Sequence, residues 1–175
     1  MAATIEHIDF HGLPALRLRT KAGAAAVVSL HGAQVLSWTP PGGADRLYLS
    51  PQAVFDGRTA IRGGIPLCFP QFADLGSLPQ HGFARTATWS VVTERTGDDF
   101  ALLTLGLADD EATRAVWPHP FRAELGILIG IINLNSINST QFPQIGNQVF
   151  SFIRSFSRPI GFNVFVYGQI RLKAT

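Results

Sequence analysis

TATWSVV, residues 86–92, alternates: Ala87, Trp89 and Val91 fall on one side, Thr86, Thr88 and Ser90 on the other. That period of two predicts a strand with one face buried and one in water. Downstream, Phe100–Leu107 is a denser apolar run. Phe121–Leu128 resumes the pattern after the acidic Asp109-Asp110-Glu111. Upstream, Ile5–Phe10, Leu13–Leu18, Ala26–Leu30, Gln34–Trp38 and Arg46–Leu49 are further short candidates, the last two separated by the turn Thr39-Pro40-Pro41-Gly42-Gly43. Only Asp110–Val116 reads as a short helix. Many short strands without intervening helices predict an all-β sandwich or barrel.

The chain has 175 residues, enough for one domain with a buried core. Hydrophobic residues make up 46% and charged residues 15%, which excludes an intrinsically disordered chain. The longest unbroken apolar stretch, Leu125–Ile132, is far short of the roughly 20 residues a membrane helix needs. The opening MAATIEHIDFHG has neither the basic nor the apolar region of a signal peptide. Cys68 is alone, so no intrachain disulfide forms, and the expectation is a reducing cytoplasm.

Composition steps near residue 125. Ala, Gly, Arg and Pro supply 49 of residues 1–125 but 11 of residues 126–175, and all five asparagines follow Glu124. Residues 1–125 hold ten Arg/Lys and twelve Asp/Glu, whereas residues 126–175 hold four and none. We therefore divide the chain at 125 into a first part and an apolar, basic tail of different composition. Four basic residues over fifty positions form no nucleic-acid patch, because phosphate-backbone binding needs clustered charge.

Between the strand candidates lies FDGRTAIRGGIPLCFPQFADLGSLPQHGFAR, residues 55–85, long, Gly/Pro-rich and poor in β-forming runs. Loops of this length in compact domains are mostly functional. It carries Arg58, Arg62, Arg85 and His81. Gly63-Gly64 behind Arg62 allows close backbone approach to a ligand, or positive φ. Arginine is the residue that clamps a phosphate bidentately. Each residue also has a plain reading: Arg62 and Arg85 as surface arginines, Gln80 as a loop cap, His81 as a loop fastener, Cys68 as an inert buried thiol. His31 and His119 read as structural.

The stretches HGAQVLSW (31–38), FDGRTAIRGGIPLCFPQF (55–72), QHGFAR (80–85) with Trp89 following, and ATRAVWPHPFRAEL (112–125) resemble, in order, the hexose-6-phosphate mutarotases. These are also called glucose-6-phosphate 1-epimerases, within the aldose 1-epimerase superfamily. The resemblance covers about residues 10–125 and implies a galactose-mutarotase-like antiparallel β-sandwich, of which this segment is the N-terminal half. It implies interconversion of the α and β anomers of a hexose 6-phosphate, glucose 6-phosphate above all, without metal or cofactor. By position it makes Arg62, Gln80 and Arg85 ligands of substrate or phosphate, with His81 beside them; within this chain His81 is the nearest substitute for a catalytic acid. It also implies a longer protein whose general acid and base lie in a second half, while residues 126–175 contain no His, Asp or Glu. Two alternatives stay open: a non-catalytic sugar-phosphate-binding remnant, and an aldose 1-epimerase for unphosphorylated sugar.

Overall fold

The computed structural model describes residues 2–131, together with the backbone course of 149–150 and 162–172. Four strands open the chain: β1 (Thr4–Phe10), β2 (Leu13–Arg19), β3 (Ala25–Ser29) and β4 (Val35–Thr39). They form an antiparallel meander in chain order. The β1–β2 turn is the two-residue pair His11-Gly12, with φ of 54° and 87°. Paired positive φ gives the hairpin a twist that matches its strands. The Asp9 carboxylate fastens the turn by accepting from the Gly12 N–H at 2.8 Å.

After a long irregular segment come β5 (Ser90–Thr96), β6 (Phe100–Ala108), helix α1 (Glu111–Val116), β7 (Phe121–Ile131), β8 (Val149–Phe150) and β9 (Phe162–Leu172). The second antiparallel sheet has the order β5-β6-β7-β9-β8. β7 runs through the compositional step at residue 125, and β9 pairs with it from Phe121↔Leu172 to Ile131↔Phe162. Backbone hydrogen bonding reads no side chains, so a change in composition does not by itself interrupt a ladder. α1 starts at a capping box: Asp110 accepts from the Thr113 N–H at 2.7 Å, and the Thr113 hydroxyl accepts from the Asp110 N–H at 2.8 Å. Those Thr113 bonds hold the Asp110 carboxyl below its ordinary value.

Alternation decides what is buried. Ala101, Leu103 and Leu105 of β6 face inward, opposite Ile129, Ile127 and Leu125 of β7. In the first sheet Leu16 pairs with Val28, and Leu18 with Ala26. These two sets, with Trp38, Trp89 and Phe121, make one core between the sheets. Truncating a fully buried Leu103 or Ile127 to Ala costs about 2–5 kcal/mol at such positions. A second cluster lies on the other face of the first sheet: Leu13, Ala15, Val27 and Leu36 are covered by Ile61, Leu49 and Phe55. The loop segment is thereby clamped onto the sheet that supports it.

Two expected strands differ. Arg46–Leu49 is no regular strand; Leu49 makes only an isolated bridge to Gly63. Thr86–Val92 becomes regular strand only from Ser90. The Phe83 carbonyl accepts from the N–H groups of Thr86 and Ala87, which winds 84–86 into a 3-10 turn before the strand begins. The faces still hold, with Trp89 buried and Thr88 and Ser90 exposed. The helix over 111–116 and the strand pattern of 100–108 and 121–131 fall where the sequence places them.

Candidate functional site

One turn supports both arginine-bearing segments. Between β3 and β4, Gly32 and Ala33 take φ of 74° and 48°. From this turn two buried side chains reach the 59–63 segment. His31 Nε2 meets the Thr59 carbonyl at 3.0 Å. The Gln34 amide donates to the Ile61 carbonyl at 3.0 Å and also to the Gly63 carbonyl. The carbonyls of residues 59, 61 and 63 thus point one way. That of Arg62 points the other way and accepts from the Ser50 N–H at 3.0 Å. This is strand-like alternation, and it leaves Ile61 buried and Arg62 exposed. A Cβ on Gly63 would lie 2.5 Å from the Tyr48 carbonyl oxygen, and one on Gly64 2.2 Å from that of Val35. The glycine pair has the anticipated positive φ, 120° and 60°, but what approaches it closely is the protein's own backbone.

The same turn holds the Arg85 segment through its main chain. The Gly32 N–H donates to the Ala87 carbonyl at 2.8 Å. A Cβ on Gly32 would sit 2.4 Å from the Arg85 carbonyl oxygen. Buried Trp89 donates from Nε1 to the Ala84 carbonyl at 3.0 Å, fixing the 3-10 turn that carries Arg85. The Arg85 guanidinium donates to the Gln80 carbonyl at 2.9 Å, and its Nε is buried with no hydrogen bond among the described residues. Gln80 takes part here through its backbone.

His81 and Gly82 follow with φ of 65° and 70°. Gly82 lies so close to Phe69 that a Cβ would meet the Phe69 carbonyl oxygen at 2.1 Å. That carbonyl accepts from the Phe83 and Ala84 N–H groups at 3.0 and 3.2 Å. The Phe69 ring packs edge-on against Phe83, Trp117 and Phe121, with centroids 5.9, 5.3 and 5.2 Å away. This docking brings Cys68 Sγ to 3.3 Å from His81 Nδ1. The same nitrogen lies 3.1 Å from the Ala73 N–H, while the His81 N–H donates to the Ala73 carbonyl at 2.8 Å.

Within the described residues the ion pairs are His7–Glu94, Arg114–Asp109 and Arg122–Glu124. Arg62 and Arg85 therefore carry charge with no carboxylate partner among them. Two uncompensated guanidiniums on one support suit an anion with several acceptor oxygens. The Cys68 thiol is pushed up by burial, against the opposing pull of Arg85, so it is protonated rather than nucleophilic. Asp56, at the start of the same segment, is a weak base. Its carboxylate accepts from the N–H groups of Arg58 and Thr59 and from the Thr59 hydroxyl, which lowers it to about 2.

Gln80, His81, Arg85 and Cys68 are thus brought together. Arg62 stands on a separate loop joined to them through residues 31–34. A groove of about 450 Å3 opens beside the cluster, between Gln71, Phe72 and Leu75 on one side and Val116, Trp117 and Pro118 on the other. Phe72, which lines the groove, has its ring 5.3 Å from that of His81. The groove presents no charged side chain. Sequence reasoning took His31 as structural and Gln34 as a strand residue, and missed that together they hold the Arg62 segment. A glutamine in an otherwise apolar, inward-facing run was the available signal.

The family model described as aldose 1-epimerase matches residues 14–135. A protein of Cenchrus ciliaris named "Putative glucose-6-phosphate 1-epimerase" is 39% identical over 124 residues, 68% of this chain and 38% of that protein. A Salmonella typhimurium protein of the same name is 42% identical over 98 residues, 55% of this chain and 33% of the other. A crystal structure titled as a putative mutarotase from Salmonella typhimurium superimposes with a TM-score of 0.67 at 34% identity, covering 72% of this chain and 43% of that one. The chain spans less than half the length of each of these proteins.

Proposed function

The chain belongs to the aldose 1-epimerase family, and from that premise we propose that it serves the interconversion of α and β hexose 6-phosphates by binding the sugar phosphate at Arg62 and Arg85. The observation that carries this is the shared support: the 31–34 turn fixes both arginine segments, and neither arginine has a carboxylate partner among the described residues. A phosphate offers the two guanidiniums several anionic acceptor oxygens and a neutral sugar offers none, which favours the phosphorylated substrate over that of a plain aldose 1-epimerase. Glucose 6-phosphate, the substrate named for the relatives, is the one we assign.

Mutarotation takes a proton from the anomeric hydroxyl and delivers one to the ring oxygen. The ring opens, the carbonyl turns its other face, and the ring closes. Acid and base each contribute roughly 10²–10⁴-fold when both are positioned. His81 lies in the cluster with Arg85, but no carboxylate is hydrogen-bonded to that cluster among the described residues, and residues 126–175 contain no His, Asp or Glu. Our reading is that the 175-residue chain binds substrate and moves protons poorly.

Titration of glucose 6-phosphate and glucose into wild type and Arg85→Ala tests the binding. Loss of one charged hydrogen-bond partner weakens the phosphate complex about ten- to a hundredfold. Equal affinity for the two sugars refutes the assignment. Anomer-exchange NMR on the same samples is expected to show a rate close to buffer background. A rate well above it, abolished by His81→Ala, makes His81 the catalytic acid and overturns the non-catalytic part of the reading.

A further inference from the structure

His81 Nδ1 has two neighbours, and one of them settles its protonation. The Ala73 main-chain nitrogen, 3.1 Å away, has a proton to give and no lone pair to offer. Nδ1 therefore accepts, and in the neutral imidazole the proton sits on Nε2. An imidazole nitrogen that already accepts cannot donate to sulfur, so the 3.3 Å contact from Cys68 Sγ is a thiol donating to the same lone pair. The arrangement excludes the thiolate–imidazolium pair of a cysteine nucleophile. A thiol pushed up by burial agrees with this. The Phe72 ring lies in a T-shaped arrangement with the imidazole at 5.3 Å, and the Arg85 charge acts on the neighbouring thiol.

We propose that Cys68 is a positioning residue: with the Ala73 N–H it holds His81 as the Nε2–H tautomer, so that Nε2 is left to present a hydrogen-bond donor. Two links hold the geometry. The Phe69 carbonyl docks on Gly82, and the His81 N–H closes onto the Ala73 carbonyl at 2.8 Å, so the imidazole is gripped from backbone and side chain together. Fixing which nitrogen carries the proton is a common way for a neighbour to set what a histidine offers a ligand. That the Nε2–H meets a sugar-phosphate oxygen rests on the function proposed above; the tautomer does not.

The chain has one cysteine, so its S–H stretch is a single infrared band free of overlap from other thiols. In wild type we expect that band displaced to the frequency of a donating thiol, and displaced back in His81→Ala. Long-range proton–nitrogen NMR of wild type should show His81 with its proton on Nε2 and a hydrogen-bonded Nδ1. In Cys68→Val the Nδ1 resonance should move toward the unbonded position, and Cys68→Ser, which keeps a donor, should restore it. A proton on Nδ1 in wild type, an S–H band at the unbonded frequency, or an Nδ1 resonance unchanged in Cys68→Val overturns the proposal. A ligand titration separates the two ideas: Cys68→Val should bind glucose 6-phosphate about two- to tenfold more weakly than Cys68→Ser. If the spectra come out as expected and the sugar phosphate does not bind, the functional reading fails and the positioning role stands.

Discussion

Replacing Gln34 with Met tests the support beneath the Arg62 segment. Gln34 is 1% exposed, and its amide donates to the carbonyls of Ile61 and Gly63. Methionine has nearly the same length and volume, so the cavity left behind is small. What is lost is two donors. The buried Ile61 carbonyl left unpaired costs about 1–3 kcal/mol and the part-buried Gly63 carbonyl less, together about 2–4 kcal/mol. Against a typical total of about 5–15 kcal/mol that is a large fraction. With a urea slope of about 1–3 kcal/mol per molar, the midpoint should fall by on the order of 1–2 M. Buried Trp38 and Trp89 give a fluorescence signal for the unfolding curve. The mutant should also bind glucose 6-phosphate more weakly, because among the described residues His31 is then the one side chain of the 31–34 turn still hydrogen-bonded to the 59–63 segment. A midpoint within about 0.2 M of wild type, inside the error of such curves, would show that these carbonyls find other partners and that Gln34 is not the brace.

Gly82→Ala should destabilise more than Gly42→Ala. Both glycines have φ near 65–70°, where an L-residue costs about 1–2 kcal/mol, but only at Gly82 does the new Cβ meet a carbonyl oxygen, at 2.1 Å. Equal losses in thermal melts would contradict the close docking on Phe69. Trp89→Phe should cost about 1–3 kcal/mol in urea, since the Ala84 carbonyl loses its indole donor; no loss would mean that the 3-10 turn does not depend on it. The Asp56 carboxyl is lowered in the folded chain, so its contribution is present above the ordinary carboxylate pKa of 3.8 and disappears as pH falls through about 2. Protection of the Arg58 and Thr59 amides against hydrogen exchange, taken relative to the intrinsic rate at each pH, should fall across that window. Asp56→Ala should show the low protection already at higher pH, and pH-independent protection in wild type would refute the link.

Periodicity alone was enough for the β class. The alternation in Leu103–Leu105 and Phe121–Ile129 is a property of neighbouring residues in sequence, and a strand exposes its two faces by the same period whatever it packs against. The capping box at Asp110 and the hairpin turn at His11-Gly12 are likewise local chemistry. Arg46–Leu49 failed because a short apolar run forms a strand only if a partner ladder is available, and here only Gly63 pairs with it. The start of the 86–92 run shifted because the Phe83 carbonyl competes for its first N–H groups. The site was legible as a set of residue types in one loop, together with the resemblance of its motifs. Its geometry was not, because the contacts that make it join residues far apart in the chain. His31 reaches Thr59, Gln34 reaches Ile61, Gly32 backs onto Arg85, and Cys68 meets His81. No periodicity encodes such pairings; they exist only once the two sheets close on their common core and dock the loop. The tautomer of His81 is the extreme case, since it is decided by the direction of one backbone N–H, that of Ala73, which a sequence does not contain.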